Sequence, residues 1–437
     1  MNKSMNILSI GGSDPSSGAG IQSDIKDFQL LDAYALTSVT AITSQNTSKF
    51  GLVQPSSKKI MKDQLETIFA DFKVDGIKIG MVYNSDIIKA IYNCLKKLSL
   101  PIVLDPVIKS TTGGALIKKT AVSDFKKYLI PLATVITPNK FEAEFISKSK
   151  IDSRKSLINS GKIIQKLGAK NIVITGLAFE KNRIIDFVMT EKDQKFIAGR
   201  KLELRNHGSG GNFSAAMIFS LVQGKSVLDS ARFAKKYTFE SIKGAKKKGK
   251  GIPITYKKSN IEQVQLQKAI TQFTQIKNIS KSIPECQTNF VFSKKSPKST
   301  KDILGISGRI VKTGDTVVKA GELEYGGSKH VATAVLAMNK KFKNIRSAIN
   351  LKYSDDTIAK LEKNGFIVRS YNRLKEPKII KNKEGSSIQW GIKTALGNIK
   401  NPPDAIFHKG DLGKEPMILI FGEDPKAVNQ KVLKVFS

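Results

Sequence analysis

The residues whose types and spacing best suit chemistry stand at positions 206–216, where three glycines and a serine occupy positions 208 to 211. The apolar run that follows them is typical of a helix, so we expect these residues at a helix N-terminus. There the first backbone N–H groups lack an intrahelical partner and the helix dipole is positive. Because glycine has no Cβ, the backbone can approach an anion closely. Gly208, Ser209, Gly210 and Gly211 therefore predict a site for a phosphoryl group, although an ordinary helix-capping turn would have a similar sequence.

Polar residues also follow predicted strands, at the edge where open α/β sheets bind ligands. Asp105 ends one apolar strand, and Asn139 ends another, with Glu142 one helical turn later. These three residues could hold a hydrated Mg²⁺, which takes few protein oxygens and keeps its waters. With the glycine turn they would form a phosphoryl-transfer site, where positioning and charge stabilisation do most of the catalysis. The alternative is that Asp105 and Asn139 are turn and cap residues.

Alternating strands and helices must position these groups. The first strand leads into a glycine- and serine-rich turn at residues 11–20, whose spacing differs from the dinucleotide-binding fingerprint and suits a loop over a small ligand. The alternation predicts an α/β fold, with a mostly parallel sheet and helices on both of its faces. Predicted strands lie at 6–10, 36–42, 76–81, 101–106, 135–139 and 171–175, and predicted helices at 21–31, 61–72, 85–98 and 213–221.

A second, smaller domain is expected after the basic, glycine-rich segment that ends near residue 260. It starts with a predicted helix at 261–276. Its pattern predicts a mixed α+β fold, with apolar segments at 289–292, 345–350, 366–368 and 417–422. We therefore predict one domain over residues 1–258 and another over residues 262–437. A chain of this length is too long for a single ordinary core.

The net charge of +36, from 73 basic and 37 acidic residues, would suit a nucleic-acid binder. However, the lysines are scattered and no zinc-finger or RNA-stacking motif accompanies them, so a basic surface that attracts phosphorylated metabolites is favoured.

Cys94 and Cys286 are the only cysteines, which argues against a disulfide framework or a cysteine-rich metal site. No apolar run approaches the roughly 20 residues of a membrane span. With no signal peptide expected at the N-terminus, we predict a cytoplasmic protein.

Six ordered motifs over about residues 5 to 250 resemble the hydroxymethylpyrimidine (phosphate) kinase family. The resemblance implies the ribokinase-like fold, ATP and Mg²⁺ as cofactors, and a role in thiamine biosynthesis. The motifs are Gly11-Gly12-Ser13-Asp14 with Gly18-Ala19-Gly20-Ile21-Gln22, Thr43-Ser44-Gln45-Asn46-Thr47, Lys78-Ile79-Gly80-Met81, Leu104-Asp105-Pro106-Val107, Ile136-Thr137-Pro138-Asn139 and Asn206-His207-Gly208-Ser209-Gly210.

The same resemblance implies roles for individual residues. It assigns Gly12, Asp14, Gln45 and Met81 to the pyrimidine substrate, with contacts from the Gln45 side chain and the backbone near Met81. It assigns Asp105, Asn139 and Glu142 to the nucleotide, with Asn139 and Glu142 ordering Mg²⁺ through water. It makes Gly208 to Gly210 the anion hole.

Three departures from the family pattern stand out. The family has a cysteine, as the base near the substrate hydroxyl, where this chain has Gly211, and a general base is worth roughly 10²–10⁴-fold. The segment Thr175-Gly176-Leu177-Ala178 differs from the Lys-Gly-Gly-His-like stretch usual near the nucleotide, and Thr111 stands where lysine is frequent. The kinase could therefore be weakened, altered in substrate, or inactive.

Residues 262 to 435 resemble the archaeal-type thiamine-phosphate synthase domain, which is commonly fused behind this kinase. The resemblance implies coupling of hydroxymethylpyrimidine diphosphate to a thiazole phosphate, with Arg309 and His330 as acting residues. An arginine can bind diphosphate bidentately, and a histidine can donate a proton to the leaving group. Lys414 is a candidate second phosphate contact. The motifs are Gly308-Arg309-Ile310-Val311, Gly326-Gly327-Ser328-Lys329-His330-Val331-Ala332, Ala348-Ile349-Asn350-Leu351-Lys352-Tyr353, Gln389-Trp390-Gly391 and Gly410-Asp411-Leu412-Gly413-Lys414-Glu415-Pro416.

The leading prediction is a bifunctional thiamine-biosynthesis enzyme whose partners are its small-molecule substrates, with no membrane and no nucleic acid. A homo-oligomer is compatible with the sequence. One alternative keeps only the synthase active, with the kinase domain as a pyrimidine-binding or structural remnant. The other is a thiamine-phosphate sensor, which the intact Arg309 and His330 and the lack of a convincing helix-turn-helix argue against.

Overall fold

The computed structural model describes residues 5–179, 182–257, 261–381, 386–411 and 413–436. The chain divides into two compact units, residues 1–258 and 259–437. None of the helices in the described part of the chain combines the length and apolar character that crossing a membrane requires. Leu412, within one of the predicted synthase motifs, lies outside the described residues.

The first unit is built on a nine-stranded sheet of order β3-β2-β1-β4-β5-β6-β7-β8-β9. The central strands from β2 to β7 run parallel, whereas β3, β8 and β9 pair antiparallel at the edges. Its elements are β1 (Met5–Ser13), α1 (Gly20–Leu30), β2 (Ala33–Gln45), β3 (Phe50–Pro55), α2 (Lys58–Asp71), β4 (Gly76–Ile79), α3 (Ser85–Leu95), β5 (Ile102–Leu104), α4 (Val122–Asp124), β6 (Val135–Ile136), α5 (Lys140–Ser147), α6 (Arg154–Lys166), β7 (Ile172–Leu177), β8 (Arg183–Met189), β9 (Gln194–Arg200), α7 (Ser209–Val222) and α8 (Val227–Lys243).

Helices cover both faces of this sheet because its central strands are apolar on both sides. Leu8 and Ile10 of β1 belong to the core cluster that includes residues of α2, α3, α5 and α6. Ile7 of the same strand and Phe28 of α1 belong to a second cluster with residues of α7 and α8. The α/β fold with a mostly parallel, helix-covered sheet is thus confirmed.

Several element bounds differ from the sequence prediction. The strand predicted at 76–81 ends at Ile79, and the strand predicted at 135–139 consists of Val135–Ile136 only. Asn139 lies beyond this strand, where its side chain caps α5 and its backbone forms an isolated parallel bridge with Thr175. The sequence analysis also missed the strands Phe50–Pro55, Arg183–Met189 and Gln194–Arg200, whose apolar runs are short or interrupted by polar residues.

The second unit has a seven-stranded sheet of order β14-β11-β10-β15-β18-β17-β16 and a separate β12-β13 hairpin. In the large sheet only β16 and β17 pair in parallel, so the predicted mixed α+β domain is confirmed. Residues of α9 and α14 pack on one face, and those of α10 and α13 on the other. The elements are α9 (Ile261–Thr274), β10 (Phe290–Ser293), β11 (Ile303–Ile306), β12 (Ile310–Thr313), β13 (Thr316–Lys319), β14 (Leu323–Tyr325), α10 (His330–Lys341), β15 (Ser347–Lys352), α11 (Asp355–Lys363), β16 (Val368–Ser370), α12 (Lys378–Lys381), α13 (Ser386–Leu396), β17 (Ala405–His408), β18 (Met417–Gly422) and α14 (Pro425–Phe436).

Candidate active sites

The predicted glycine turn stands at the N-terminus of α7, which begins at Ser209. Gly208 caps this helix with φ 106°, a left-handed conformation that glycine adopts without strain. A Cβ at Gly208 would lie 2.0 Å from the carbonyl oxygen of Gly18, and one at Gly18 would lie 2.4 Å from the ring of His207. The two glycine-rich segments therefore pack backbone against backbone, as the sequence analysis had not foreseen. This contact leaves no room for side chains at either position.

His207 links this turn to two other loops. Its Nε2 lies 3.1 Å from the carboxylate of Asp14, and its Nδ1 lies 3.1 Å from the hydroxyl of Thr111. Burial by itself raises the pKa of Asp14, but hydrogen bonds from His207, Ser16 and Ala19 outweigh burial and hold that pKa below its usual value. Asp14 is 1% exposed, so it fixes the loop from inside.

The residues predicted to contact the pyrimidine lie around the end of the sheet. A Cβ on Gly12 would lie 2.7 Å from the sulfur of Met81, so these two residues are in contact. Met81 belongs to a small apolar cluster with Ala41, which pairs with Gly12 in the sheet. Gln45 is the last residue of β2, four positions beyond Ala41. The structure therefore brings Gly12 and Met81 together, with Gln45 at the end of the adjacent strand.

Of the predicted nucleotide residues, Asp105 lies next to the glycine turn, whereas Asn139 and Glu142 stand at the start of α5. Ser214 of α7 donates a hydrogen bond of 3.0 Å to Asp105. A Cβ on Gly210 would stand 3.8 Å from the same carboxylate. Asn139 caps α5, and it exchanges hydrogen bonds of 3.0 and 2.9 Å with Glu142 in a capping box. The capping role considered for Asn139 is thus present.

Two buried acids at this place lack a full set of counter-charges. Burial, and then the charge of Asp105, raise the pKa of Glu142 to about 8, and burial also raises the pKa of Asp105. No group of three or more histidine, cysteine or acidic side chains suited to a metal occurs in the described residues. A pair of acids and an amide nonetheless fits a hydrated Mg²⁺, which needs few protein ligands.

The backbone conformation at Gly211 does not require glycine. A Cβ at this position would lie 3.8 Å from both Asp24 and Lys78, which is ordinary van der Waals distance. Asp24 and Lys78 form a buried ion pair that the sequence analysis did not single out. A side chain at position 211 would therefore fit, and it would face this pair.

A cavity of about 810 Å³ opens beside Thr111. It is lined by hydroxyl groups, including those of Thr111 and Thr112, and by the cations Lys109 and Arg205. Such a lining suits a phosphorylated ligand. The sequence analysis missed Lys109 and Arg205 because nothing in their local sequence distinguishes them from the many other basic residues.

In the second unit, Arg309 and His330 line one cavity of about 340 Å³. Arg309 has φ 71° and donates a hydrogen bond to the carbonyl oxygen of Cys286. His330 is the first residue of α10, where the helix dipole favours an anion. Partial desolvation, and then the charges of Arg309, Arg373, Lys414 and Lys329, hold the pKa of His330 below its usual value. Lys414 contributes to this effect on His330, but it is not one of the residues that line the cavity.

Each of the two units matches a known protein family. The profile of the phosphomethylpyrimidine kinase family matches residues 14–255, and that of the thiamine-phosphate synthase ThiN family matches residues 265–434. Over 98% of its length the chain is 31% identical to the bifunctional thiamine biosynthesis protein ThiDN of Methanocaldococcus jannaschii, of which the match covers 97%. The chain belongs to this family of fused kinase and synthase.

The kinase unit has further relatives. It is 36% identical to the hydroxymethylpyrimidine/phosphomethylpyrimidine kinase of Aquifex aeolicus, over 57% of this chain and 99% of that protein. A crystal structure of the ADP complex of Bacillus subtilis pyridoxal kinase matches 58% of this chain and 97% of its own, with 31% identity and a TM-score of 0.54. The ribokinase-like fold is therefore confirmed. The chain is a bifunctional transferase, with a phosphomethylpyrimidine kinase and a thiamine-phosphate synthase.

Proposed function

We propose that residues 1–258 transfer the γ-phosphoryl group of ATP to hydroxymethylpyrimidine or its monophosphate. Residues 262–437 then couple the resulting diphosphate to a thiazole phosphate and release diphosphate. The observation that carries the kinase proposal is the contact of the helix that begins at the Gly208–Gly210 turn with the buried carboxylate of Asp105. ATP as the phosphoryl donor is supported by the ADP complex of the related pyridoxal kinase. An enzyme that consumes ATP is expected in the cytoplasm, where ATP is abundant.

In the kinase, the free N–H groups at the start of α7 would hold the phosphoryl group in transfer. The pyrimidine would lie against Gly12 and Met81, with Gln45 reaching its polar edge. Asp14 would contribute indirectly, by holding its own loop in place. Asp105, Asn139 and Glu142 would hold, through water, the Mg²⁺ whose charge neutralises the phosphates.

The kinase as proposed works without a side-chain base at Gly211. Phosphoryl transfer asks little covalent chemistry of the protein, so positioning by the anion hole supplies most of the rate. The proton of the substrate hydroxyl then leaves to solvent or to a phosphate oxygen. The absent side chain lowers the rate and does not abolish the reaction.

In the synthase, Arg309 and Lys414 would bind the diphosphate group. The bond between the pyrimidine methylene and the diphosphate oxygen breaks, and a bond forms between that carbon and the thiazole nitrogen. The diphosphate leaves with the electron pair, and His330, as a neutral imidazole, donates a hydrogen bond from its ring N–H to the departing oxygen. The neutral form of His330 is favoured by its lowered pKa.

The test measures each half-reaction separately on the purified full chain. ADP release with Mg-ATP and hydroxymethylpyrimidine, or its monophosphate, reports the kinase. Thiamine phosphate formed from hydroxymethylpyrimidine diphosphate and thiazole phosphate reports the synthase. No ADP release with either pyrimidine, beside normal thiamine phosphate formation, would refute the kinase half alone. Light scattering on the same sample decides whether the chain is a homo-oligomer.

A further inference from the structure

Four buried polar side chains in the synthase unit have no part in the proposed chemistry. Tyr371, Arg373, Glu376 and His408 are 5%, 6%, 7% and 3% exposed. Buried arginine and glutamate are rare unless they are fully paired. Their burial therefore calls for an explanation in terms of partners.

Their polar atoms are not satisfied by the described residues. The hydroxyl of Tyr371, the Nε of Arg373 and both carboxylate oxygens of Glu376 have no hydrogen-bond partner there. Arg373 and Glu376 form an ion pair at 3.5 Å, a distance too long for a good hydrogen bond. Buried polar groups in folded proteins almost always have partners, so this cluster indicates that a bound molecule supplies them.

The cluster adjoins the cavity that contains Arg309 and His330, and its four residues stand behind those that line that cavity. Met417 lines that cavity, and His408 is its direct partner across β17 and β18. The ring of Tyr371 packs against His408, with 5.2 Å between ring centroids. Since directly paired residues project from the same face of a sheet, Met417, His408 and Tyr371 form one row. This row leads from the cavity to the unpaired polar atoms.

Electrostatic effects also connect the cluster with the cavity. Burial, and then Arg373 and Lys414, lower the pKa of His408 to about 4. Arg373 and Lys414 also lower the pKa of His330, which lines the cavity. One guanidinium therefore acts on both histidines.

The unsatisfied atoms require a ligand that has both acceptors and donors. Arg373 Nε–H needs an acceptor, whereas the two oxygens of Glu376 need donors. A phosphate would satisfy the arginine but would be repelled by the carboxylate. An amino-substituted nitrogen heterocycle carries a ring-nitrogen acceptor next to an amino donor on one flat edge. Aromatic side chains belong to this region as well, since the rings of Tyr371 and Trp390 meet at 88°.

We propose that Tyr371, Arg373 and Glu376 bind the aminopyrimidine ring of the synthase substrate. Glu376 accepts a hydrogen bond from the exocyclic amino group, and Arg373 donates to the ring nitrogen. The diphosphate of the same molecule extends to Arg309 and His330. This assignment rests on the proposed synthase function and gives that site its specificity for the pyrimidine.

The experiment uses the full chain, with thiamine phosphate formation as the readout. We compare the Michaelis constant of hydroxymethylpyrimidine diphosphate with the inhibition constant of its analogue that has hydrogen in place of the amino group. In the natural chain the analogue should bind roughly 10- to 100-fold more weakly than the substrate. In Glu376→Gln the substrate should lose most of this advantage in affinity, while the inhibition constant of the analogue should change little.

Three comparisons separate ring recognition from a structural role. The inhibition constant of inorganic diphosphate should stay unchanged in Glu376→Gln, because that probe contacts only the phosphate end. Tyr371→Phe, which removes only the unpaired hydroxyl, should raise the Michaelis constant for the pyrimidine a few-fold without affecting the thiazole phosphate. Glu362→Gln, an exposed residue of α11, is the matched control and should behave as the natural chain.

The outcomes that contradict the assignment are distinct. If Glu376→Gln and Tyr371→Phe both turn over with an unchanged Michaelis constant for the pyrimidine diphosphate, this assignment is wrong and the proposed synthase stands. The same conclusion follows if Glu376→Gln loses as much affinity for inorganic diphosphate as for the substrate. A natural chain that forms no thiamine phosphate would overturn the proposed synthase and this assignment together.

Discussion

The hydroxyl of Ser214 donates a 3.0 Å hydrogen bond to the carboxylate of Asp105, which joins the second turn of α7 to the end of β5. The same hydroxyl contacts the carbonyl oxygens of Gly210 and Gly211. The helix whose N-terminus forms the anion hole is thereby fixed to one of the acids below it. Positioning of this kind accounts for most of the catalysis in phosphoryl transfer.

Ser214→Ala should therefore damage the kinase and spare the synthase. Asp105 would lose its hydrogen bond while it stays buried, at a cost of about 1–3 kcal/mol in the free energy of unfolding. We expect ADP release to fall and thiamine phosphate formation to be unchanged. Chemical denaturation and the two activity assays check this. Equal loss of both activities would contradict the separate placement of the two sites.

Gly211→Cys should increase kinase turnover. A Cβ fits at this position, and a thiol there would supply a proton acceptor worth roughly 10²-fold or more. Gly211→Ala is the matched control, since it adds the Cβ without the acceptor. It should stabilise the chain by about 0.5–1 kcal/mol through helix propensity and leave ADP release unchanged. A rise in turnover in the alanine variant would point to rigidity as the cause.

Gly208→Ala should abolish the kinase. The backbone at this position has φ 106°, and an added Cβ would lie 2.0 Å from the carbonyl oxygen of Gly18. The turn must then open, which removes the anion hole. Gly224→Ala is a control with φ 78° and nothing within 4 Å of the added Cβ, so it tests the strain of a positive φ alone. The difference in ADP release between the two variants measures the steric contact.

Arg309→Lys should lower synthase activity while ADP release stays normal. Lysine keeps the charge but cannot bind diphosphate in the bidentate manner of a guanidinium. We expect a loss of roughly tenfold or more in kcat/KM for the pyrimidine diphosphate. Lys312→Arg, an exposed position on the neighbouring hairpin, serves as the control. Unchanged synthase kinetics in Arg309→Lys would exclude a bidentate role.

The stability of the kinase unit should depend on pH through Glu142. Its pKa is raised from 4.5 to about 8 in the folded chain, so the folded state binds more protons between these values. The free energy of unfolding should therefore fall as the pH rises through this window, and this part of the pH dependence should vanish in Glu142→Gln. Bound Mg²⁺ favours the ionised acid, so its stabilising effect should grow as the pH rises. Thermal unfolding with and without Mg²⁺ at several pH values tests both statements.

Much of the kinase could be read from the sequence because the information is local. Gly208 to Gly211 precede an apolar helix, and Asp105 and Asn139 follow short apolar strands, so their positions at element ends follow from chain order. The edge strands β3 and β9 were missed because their exposed residues break the apolar pattern, and β8 was missed because Asp186 interrupts its apolar run. In the synthase unit, Arg309 and His330 rested on family resemblance, since a histidine beside glycines has no distinctive local signal.

The sequence by itself determined the fold class, the family and the residues that meet the ends of strands and helices. Only the tertiary structure decided which distant residues touch, because contacts such as that between His207 and Asp14 join residues far apart in the chain. Burial also belongs to the tertiary structure, and it is burial that raises the pKa of Glu142 and leaves Glu376 without a hydrogen-bond partner in the described chain. Both properties depend on packing around a residue, and neighbours in sequence do not specify that packing.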